Sequence, residues 1–272
     1  AELSATIPAA IMQGYLILMI LAVVAGTLFD VIHKGSAKYF FANFRKSKEQ
    51  GTPISFGKKT TVAVHTMTSA VLTSSEFCNQ KRRIAHLLGM YGFILNVFAT
   101  FMMVIFYASP SATTPVIWPQ LWCIGAIMVC VGGYWFWFFI RVDVSAEGSS
   151  PFRVIRADLF ILSLLATNTF GLFWAYTQSI DSNWASLFLA LYLISTTILF
   201  GSVPWSKFSH MFFKPAAAFE KELSIANGSR NNLPQPADRT DPATRDRHSM
   251  LLLKDAPLSM GLGIKRETPD HY

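Results

Sequence analysis

Five long runs of apolar residues, separated by shorter polar segments, dominate this sequence. The runs cover approximately residues 8–31, 87–108, 116–140, 159–178 and 184–204. A helix needs about 20 apolar residues to cross the hydrocarbon core of a bilayer, and each run is near that length. The pattern therefore predicts an all-α membrane protein, a bundle of about five transmembrane helices. The segment 60–75 is too polar to count as a span and is interpreted as a helix at the membrane surface.

The composition also favours a membrane protein. Of 272 residues, 52% are hydrophobic and 14% are charged, whereas about a quarter of the residues in a soluble domain are charged. Cys78, Cys123 and Cys130 lack the close spacing of zinc and iron–sulfur ligands, so neither centre is expected within this chain. The first apolar run follows no basic residue and is long enough to span, so no cleavable signal peptide is expected.

The basic residues occur in alternate loops. Lys and Arg are present in 32–86, 141–158 and after 204, and they are absent from 1–7, 109–115 and 179–183. Loops rich in Lys and Arg stay on the cytoplasmic side of a membrane. Five crossings therefore predict an N-terminus outside and a C-terminus in the cytoplasm. These loops also account for the net charge of +7, which then needs no nucleic-acid partner.

The chain is expected to divide into a membrane domain, 1–215, and an extended cytoplasmic tail, 216–272. From residue 222 the tail is rich in Asn, Pro, Asp, Arg and Ser, a composition that is disordered in isolation. Apolar residues return between Leu251 and Ile264. We expect the tail to bind a partner subunit. The alternative is that it packs on a cytoplasmic loop of its own chain.

Two histidines are expected at the same depth of the membrane. His86 begins the second span and His210 follows the fifth, so both lie near the cytoplasmic face. Two imidazoles at one depth on different helices are what a six-coordinate b-type haem requires. Arg82, Arg83 and Lys207 lie beside them in sequence and are suited to neutralising haem propionates. The alternative is that both are interfacial histidines bonded to lipid headgroups or loop backbone.

Three segments resemble a known family. Residues 204–210 read PWSKFSH and are followed by Pro215, residues 157–176 read ADLFILSLLATNTFGLFWAY, and residues 82–88 read RRIAHLL. Together they resemble the membrane cytochromes b grouped with the nitrate reductase gamma subunit. The resemblance covers roughly residues 10–215. It implies five spans with an outside N-terminus, in the cytoplasmic (inner) membrane of a prokaryote.

Two positions depart from that family. Members with two haems carry further histidines where this chain has Asn96 and Tyr192. Both positions belong to one haem, the one nearer the outer face. The resemblance therefore implies one haem b, with His86 and His210 as the ligands of its iron and with the second site abandoned.

The resemblance also implies a function. Within the family, the chain is most similar to the membrane anchors that accompany dissimilatory adenylylsulfate reductase. The alternative is a membrane subunit of a sulfite-reductase-linked or quinone-interacting redox complex. Such a subunit passes electrons between a cytoplasmic iron–sulfur/flavin oxidoreductase and an exchangeable quinone, while the soluble subunits perform the sulfur chemistry. With one haem in the inner half of the bilayer, an electroneutral quinone reaction is expected. Asn96 and Tyr192 are candidates for the quinone pocket or for hydrogen bonding between helices.

Other functions stay open. A haem-free anchor that only tethers the soluble enzyme is the alternative from a different class. A small transporter is disfavoured because the sequence shows no internal repeat and no pair of helices interrupted by Gly or Pro in matching halves. Asp158 lies near the start of a span, where its charge is expected to remain hydrated.

Overall fold

All regular structure in the described residues is helical. The computed structural model describes residues 7–33, 35–75, 77, 80–109, 112–141, 152, 154–155, 158–208, 210–231 and 233. The α-helices are α1 (Ala9–His33), α2 (Ser36–Gln50), α3 (Phe56–Thr66), α4 (Gln80–Phe106), α5 (Ile117–Trp135), α6 (Leu159–Ser179), α7 (Ala185–Gly201) and α8 (His210–Ala226). π-Helical turns Met67–Leu72 and Phe136–Ile140 continue α3 and α5, and a 3₁₀ turn, Val203–Trp205, follows α7. The prediction of an all-α fold is confirmed for this part of the chain.

Four helices among the described residues are long and apolar enough to cross a membrane. They are α1, α4, α5 with its π-helical turn (Ile117–Ile140), and α6. The chain is therefore a membrane protein. The fifth predicted span is a shorter apolar helix, α7, of 17 residues. It ends at Gly201 and gives way to the 3₁₀ turn containing Pro204, whose ring removes a backbone donor.

The described residues form two compact units. The first lies within Ala1–Tyr39 and Gln80–Pro215, and the second within Phe40–Asn79 and Ala216–Tyr272. Helix α8 continues to Ala226, so residues 216–226 are helical where the sequence predicted an extended tail. The apolar tail segment between Leu251 and Ile264 lies outside the described residues.

Helices α4 and α5 pack closely through small residues. A Cβ atom added to Gly92 would lie 2.7 Å from the Gly125 carbonyl oxygen, and one added to Gly132 would lie 2.7 Å from the Ala85 carbonyl oxygen. Small residues at such crossings allow two backbones to approach within a membrane. This close pair fixes the position of α4, the helix that carries His86.

The apolar core of the first unit joins α5, α6, α7 and the segment after α7. Its buried members are Val129, Leu164, Leu199, Val203 and Phe208. Helix α1 closes against this core, since a Cβ atom on Gly26 would lie 3.0 Å from Cβ of Val203. The core therefore reaches the segment that leads into His210.

In the second unit, the residues after α8 pack on the end of α2. Asn227 donates hydrogen bonds from Nδ2 to the carbonyl oxygen of Ser47 at 2.9 Å and to its hydroxyl at 3.1 Å. The Thr52 backbone N–H donates to the Asn227 carbonyl oxygen at 2.9 Å. The first residues of the predicted tail thus contact the chain's own loop, as in the alternative interpretation of the tail.

Candidate functional site: a histidine pair beside a phenylalanine cluster

His86 lies in the second turn of α4, on a face that turns toward the segment after α7. It precedes Phe93 by seven residues, so the two side chains share one face of the helix. The ring of Phe93 lies 6.4 Å from that of Phe200 and 6.2 Å from that of Phe208, measured between centroids. His86 is therefore on the α4 face that meets the residues leading into His210.

His210 is the first residue of α8, and its ring is oriented by the turn before it. Its Nδ1 donates a hydrogen bond to the carbonyl oxygen of Lys207, and its backbone N–H donates to the same oxygen at 3.2 Å. Because a carbonyl oxygen only accepts, Nδ1 carries the proton and Nε2 of the neutral ring is left with its lone pair. This is the arrangement by which proteins orient a metal-binding imidazole.

The two imidazoles lie close enough to influence each other electrostatically. The charge of Lys214 acts on both rings. Burial lowers the pKa of His210; the hydrogen bond to Lys207 opposes this shift, and the charges of Lys214 and Lys207 reinforce it. His210 is therefore favoured in its neutral form, which is the form that binds a metal ion.

A cluster of four phenylalanines adjoins the histidine pair. Phe208 is 2% exposed, and its ring lies 6.2 Å from Phe93, 5.5 Å from Phe160 and 5.8 Å from Phe200. Phe160 also makes an edge-to-face contact with His210 at 5.9 Å. One side of the site is thus apolar and tightly packed.

The predicted cationic residues are distributed on both histidine-bearing segments. Arg82 and Arg83 are half-buried and precede His86 by one turn of α4, which places them on its side of the helix. Lys207 is exposed, and its charge reaches His210. The structure therefore brings Lys207, Lys214 and the two histidines together. Like Lys207, Lys214 was expected from its position beside His210 to be suited to neutralising haem propionates.

Asp158 is buried and paired, so the expectation that its charge remains hydrated is wrong. It is 7% exposed and accepts two hydrogen bonds from Arg141, of which the Nε–Oδ1 bond is 2.8 Å. The backbone N–H of Ile155 donates to Oδ2 at 2.9 Å. Arg141 also lies 4.2 Å from the ring centroid of Trp137. The opposite charges of Arg141 and Asp158, at the two ends of one loop, were the signal available in the sequence.

The ion pair determines the protonation state of this carboxyl. Burial by itself would raise the pKa of Asp158, but hydrogen bonds from Arg141 and Ile155, and the positive charges of Arg141 and Lys207, hold it below its ordinary value. Asp158 is therefore ionised and counterbalances Lys207, the neighbour of His210.

The two positions that depart from the two-haem pattern both contact Trp122. Asn96 donates from Nδ2 to the Trp122 carbonyl oxygen at 3.1 Å. The ring of Tyr192 lies 6.1 Å from that of Trp122 and stacks on Trp174 at 6.0 Å. Trp122 is 6% exposed. Hydrogen bonding between helices is thus an observed role of Asn96.

No protein-family model matches this sequence, and no match is found among curated proteins or solved structures. The resemblance to the nitrate reductase gamma-subunit family therefore stays a prediction, and the function is argued from the geometry of the site.

Proposed function

We propose that this chain anchors a cytoplasmic iron–sulfur/flavin oxidoreductase to the membrane and transfers electrons between that enzyme and quinone through one haem b. Adenylylsulfate reductase is the first candidate for the soluble enzyme. The proposed topology has five crossings, with α7 as the fifth, an outside N-terminus and a cytoplasmic C-terminus in a prokaryotic inner membrane. The distribution of Lys and Arg supports this orientation.

The pairing of His86 with His210 is the observation that carries the proposal. The two side chains come from α4 and from the start of α8. His86 shares one face of α4 with Phe93, whose ring lies 6.2 Å from that of Phe208, two residues before His210. The hydrogen bond from Nδ1 of His210 to Lys207 leaves Nε2 as the coordinating atom.

The donor set fits a b-type haem. His86 and His210, as neutral imidazoles, would hold its iron, and the haem would supply a centre that accepts and releases one electron. Arg82, Arg83, Lys207 and Lys214 provide positive charge for the propionates. The phenylalanine cluster of Phe93, Phe160, Phe200 and Phe208 provides an apolar boundary, which restricts the access of water.

The contacts of Trp122 support a single haem. Asn96 and Tyr192 occupy the positions at which two-haem members carry the second pair of histidine ligands. In this chain both residues contact the buried Trp122. Amide and phenol groups are not the usual axial ligands of a b-type haem. With one redox centre near one face, electron transfer to quinone moves little charge across the bilayer, so the quinone reaction is electroneutral.

A dithionite-reduced absorption spectrum tests the haem. The purified chain should show a sharp b-type alpha band, and His86→Ala and His210→Ala should each remove it while leaving membrane insertion intact. His65→Ala is the matched control, since His65 lies on exposed α3 and should leave the band unchanged. A normal spectrum in His210→Ala would show that this residue is not a ligand.

A truncation tests the partner. Removing residues 234–272 leaves the contacts of Asn227 with Ser47 in place, so the second unit keeps its observed packing. Co-purification of the soluble oxidoreductase should then fall sharply, and mass spectrometry of the full-length complex should identify the enzyme. Unchanged co-purification after truncation would contradict docking through the tail.

A haem-free anchor is the second candidate, and the packing around Phe208 favours it. This side chain is almost completely buried between the two histidine-bearing segments, so a porphyrin must lie beside the cluster or displace it. A well-folded chain that lacks the alpha band but still retains the soluble enzyme would establish this alternative.

A further inference from the structure

A layer of small and polar side chains lies between two well-defined levels of the first unit. At one level, a Cβ atom on Gly171 would lie 2.9 Å from the ring of Trp122 and 3.1 Å from that of Tyr192. At the other level, Val129, Leu164 and Leu199 share one core cluster. On α5, α6 and α7 the two levels are each seven residues apart, about 10 Å along a helix. The three helices are therefore in register through this region.

The residues halfway between these levels are almost all small or polar. They are at most 9% exposed, and together we call them the polar layer: Asn96, Ala126, Thr167, Asn168, Ser195 and Thr196. Asn96 joins the layer from α4, because its backbone N lies 2.7 Å from the Cβ position of Gly125 on α5. Polar groups at this depth of a membrane protein are costly unless they are hydrogen-bonded.

Most donors in the layer are already used. Ser195 donates to the Leu191 carbonyl oxygen at 2.8 Å and Thr196 to that of Tyr192 at 2.7 Å. Asn168 donates from Nδ2 to Leu164 at 2.8 Å, within its own helix. The oxygens of these side chains can still accept hydrogen bonds, so the layer is rich in acceptors and poor in donors.

Two polar atoms of the layer have no hydrogen-bond partner among the described residues. They are Oδ1 of Asn168, whose residue is 3% exposed, and Oγ1 of Thr167, whose residue is 6% exposed. Both side chains lie on the α6 stripe that runs from Leu164 to Gly171, and they therefore point into the bundle. A buried polar atom without a partner destabilises the folded chain, because it has lost its hydrogen bond to water.

We propose that the polar layer binds water inside the membrane-spanning bundle. A water molecule carries two donor hydrogens and accepts in return, which matches the orphan acceptor of Asn168 and the free hydroxyl of Thr167. This hydration site does not depend on the proposed haem, quinone or soluble partner.

Thiol reactivity tests the water site. Cys78→Ala, Cys123→Ala and Cys130→Ala provide a background without native thiols, reconstituted as the full chain in quinone-free proteoliposomes. Ser195→Cys reports on the layer, and Leu199→Cys, one turn away on α7 and 1% exposed, is the matched control. Nearby water favours the reactive thiolate form of a cysteine. Ser195→Cys should therefore react with N-ethylmaleimide about tenfold faster than Leu199→Cys, which corresponds to a thiol pKa lower by one unit.

Thr167→Cys provides a second reporter if Ser195→Cys fails to fold. It should also react faster than Leu199→Cys. The comparison is conservative, because truncating a leucine opens space for the reagent at the control position. Equal or slower reaction at the layer positions would overturn the water site, whatever the haem spectrum shows.

Discussion

Replacing Gly92 by alanine tests the close packing of α4 on α5, which holds the helix bearing His86. The added Cβ atom would lie 2.7 Å from the Gly125 carbonyl oxygen and 2.9 Å from the Val129 backbone N, while ordinary contact begins at 3.4 Å. These atoms belong to the backbone, so a side-chain rotation cannot relieve the contact. The two helices must separate locally by about 0.7 Å to restore van der Waals distance.

This separation has a calculable consequence for stability. Overpacking of this kind costs about 1–3 kcal/mol. It also weakens the hydrogen bond from Asn96 to the Trp122 carbonyl oxygen, now 3.1 Å long, and such bonds contribute about 0.6 kcal/mol in membrane proteins. We expect Gly92→Ala to lower the free energy of unfolding by about 2–3 kcal/mol.

Gly89→Ala is the matched control, since it lies one turn earlier in the same helix. A Cβ atom at Gly89 has nothing within 4 Å. It should be neutral, or stabilising by up to about 1 kcal/mol through helix propensity. Unfolding in mixed micelles of increasing denaturing-detergent fraction measures both variants. If Gly92→Ala proves as stable as Gly89→Ala, the inferred approach of the two backbones is wrong.

Three further predictions concern the buried polar contacts. Asp158→Asn should destabilise the first unit by about 3–5 kcal/mol because Arg141 loses a buried partner; a loss below 1 kcal/mol in the same detergent titration would contradict that burial. The folded state lowers the pKa of Asp158 below its ordinary value of 3.8. The ionised carboxylate therefore contributes its full stability above pH 3.8 and loses that contribution as the pH falls through the lower folded pKa. Below pH 3.8 the free energy of unfolding should fall in the wild type but not in Asp158→Asn. Asn227→Ala removes the hydrogen bonds to Ser47 and the one from the Ser229 backbone N–H at 2.9 Å. It should therefore increase the rate of hydrogen exchange at the end of α2. The milder control is Asn231→Ala, which removes one hydrogen bond of 3.5 Å; equal protection in both variants would refute this prediction.

The sequence predicted the long helices because the bilayer imposes a strong local requirement. A run of apolar residues must satisfy its own backbone hydrogen bonds, so helix type and approximate bounds follow from the run itself. Thus α6 was expected over 159–178 and is Leu159–Ser179, and α5 with its continuation was expected over 116–140 and is Ile117–Ile140. The end of α7 was less accurate, because Pro204 and the 3₁₀ turn interrupt a run that is still apolar.

The histidine pair was predictable as a location but not as an arrangement. From sequence alone, the alternation of loops rich and poor in Lys and Arg predicts that His86 and His210 lie at one end of the bundle. The direction of each ring depends on neighbours: the hydrogen bond from His210 to Lys207 and the packing of Phe93 on Phe208 are set by the turn after α7. A pattern of apolar positions contains no information about that turn.

The apolar runs and the Lys and Arg positions alone determined that this chain is a helical membrane protein, because hydropathy acts residue by residue along the chain. The tertiary structure decided which polar groups meet. Asp158 is buried by Arg141, Asn96 bonds across to Trp122, and Asn168 and Thr167 face a shared layer. Each of these outcomes depends on the crossing and register of helices distant in sequence, and that geometry is fixed by close packing rather than by local hydropathy.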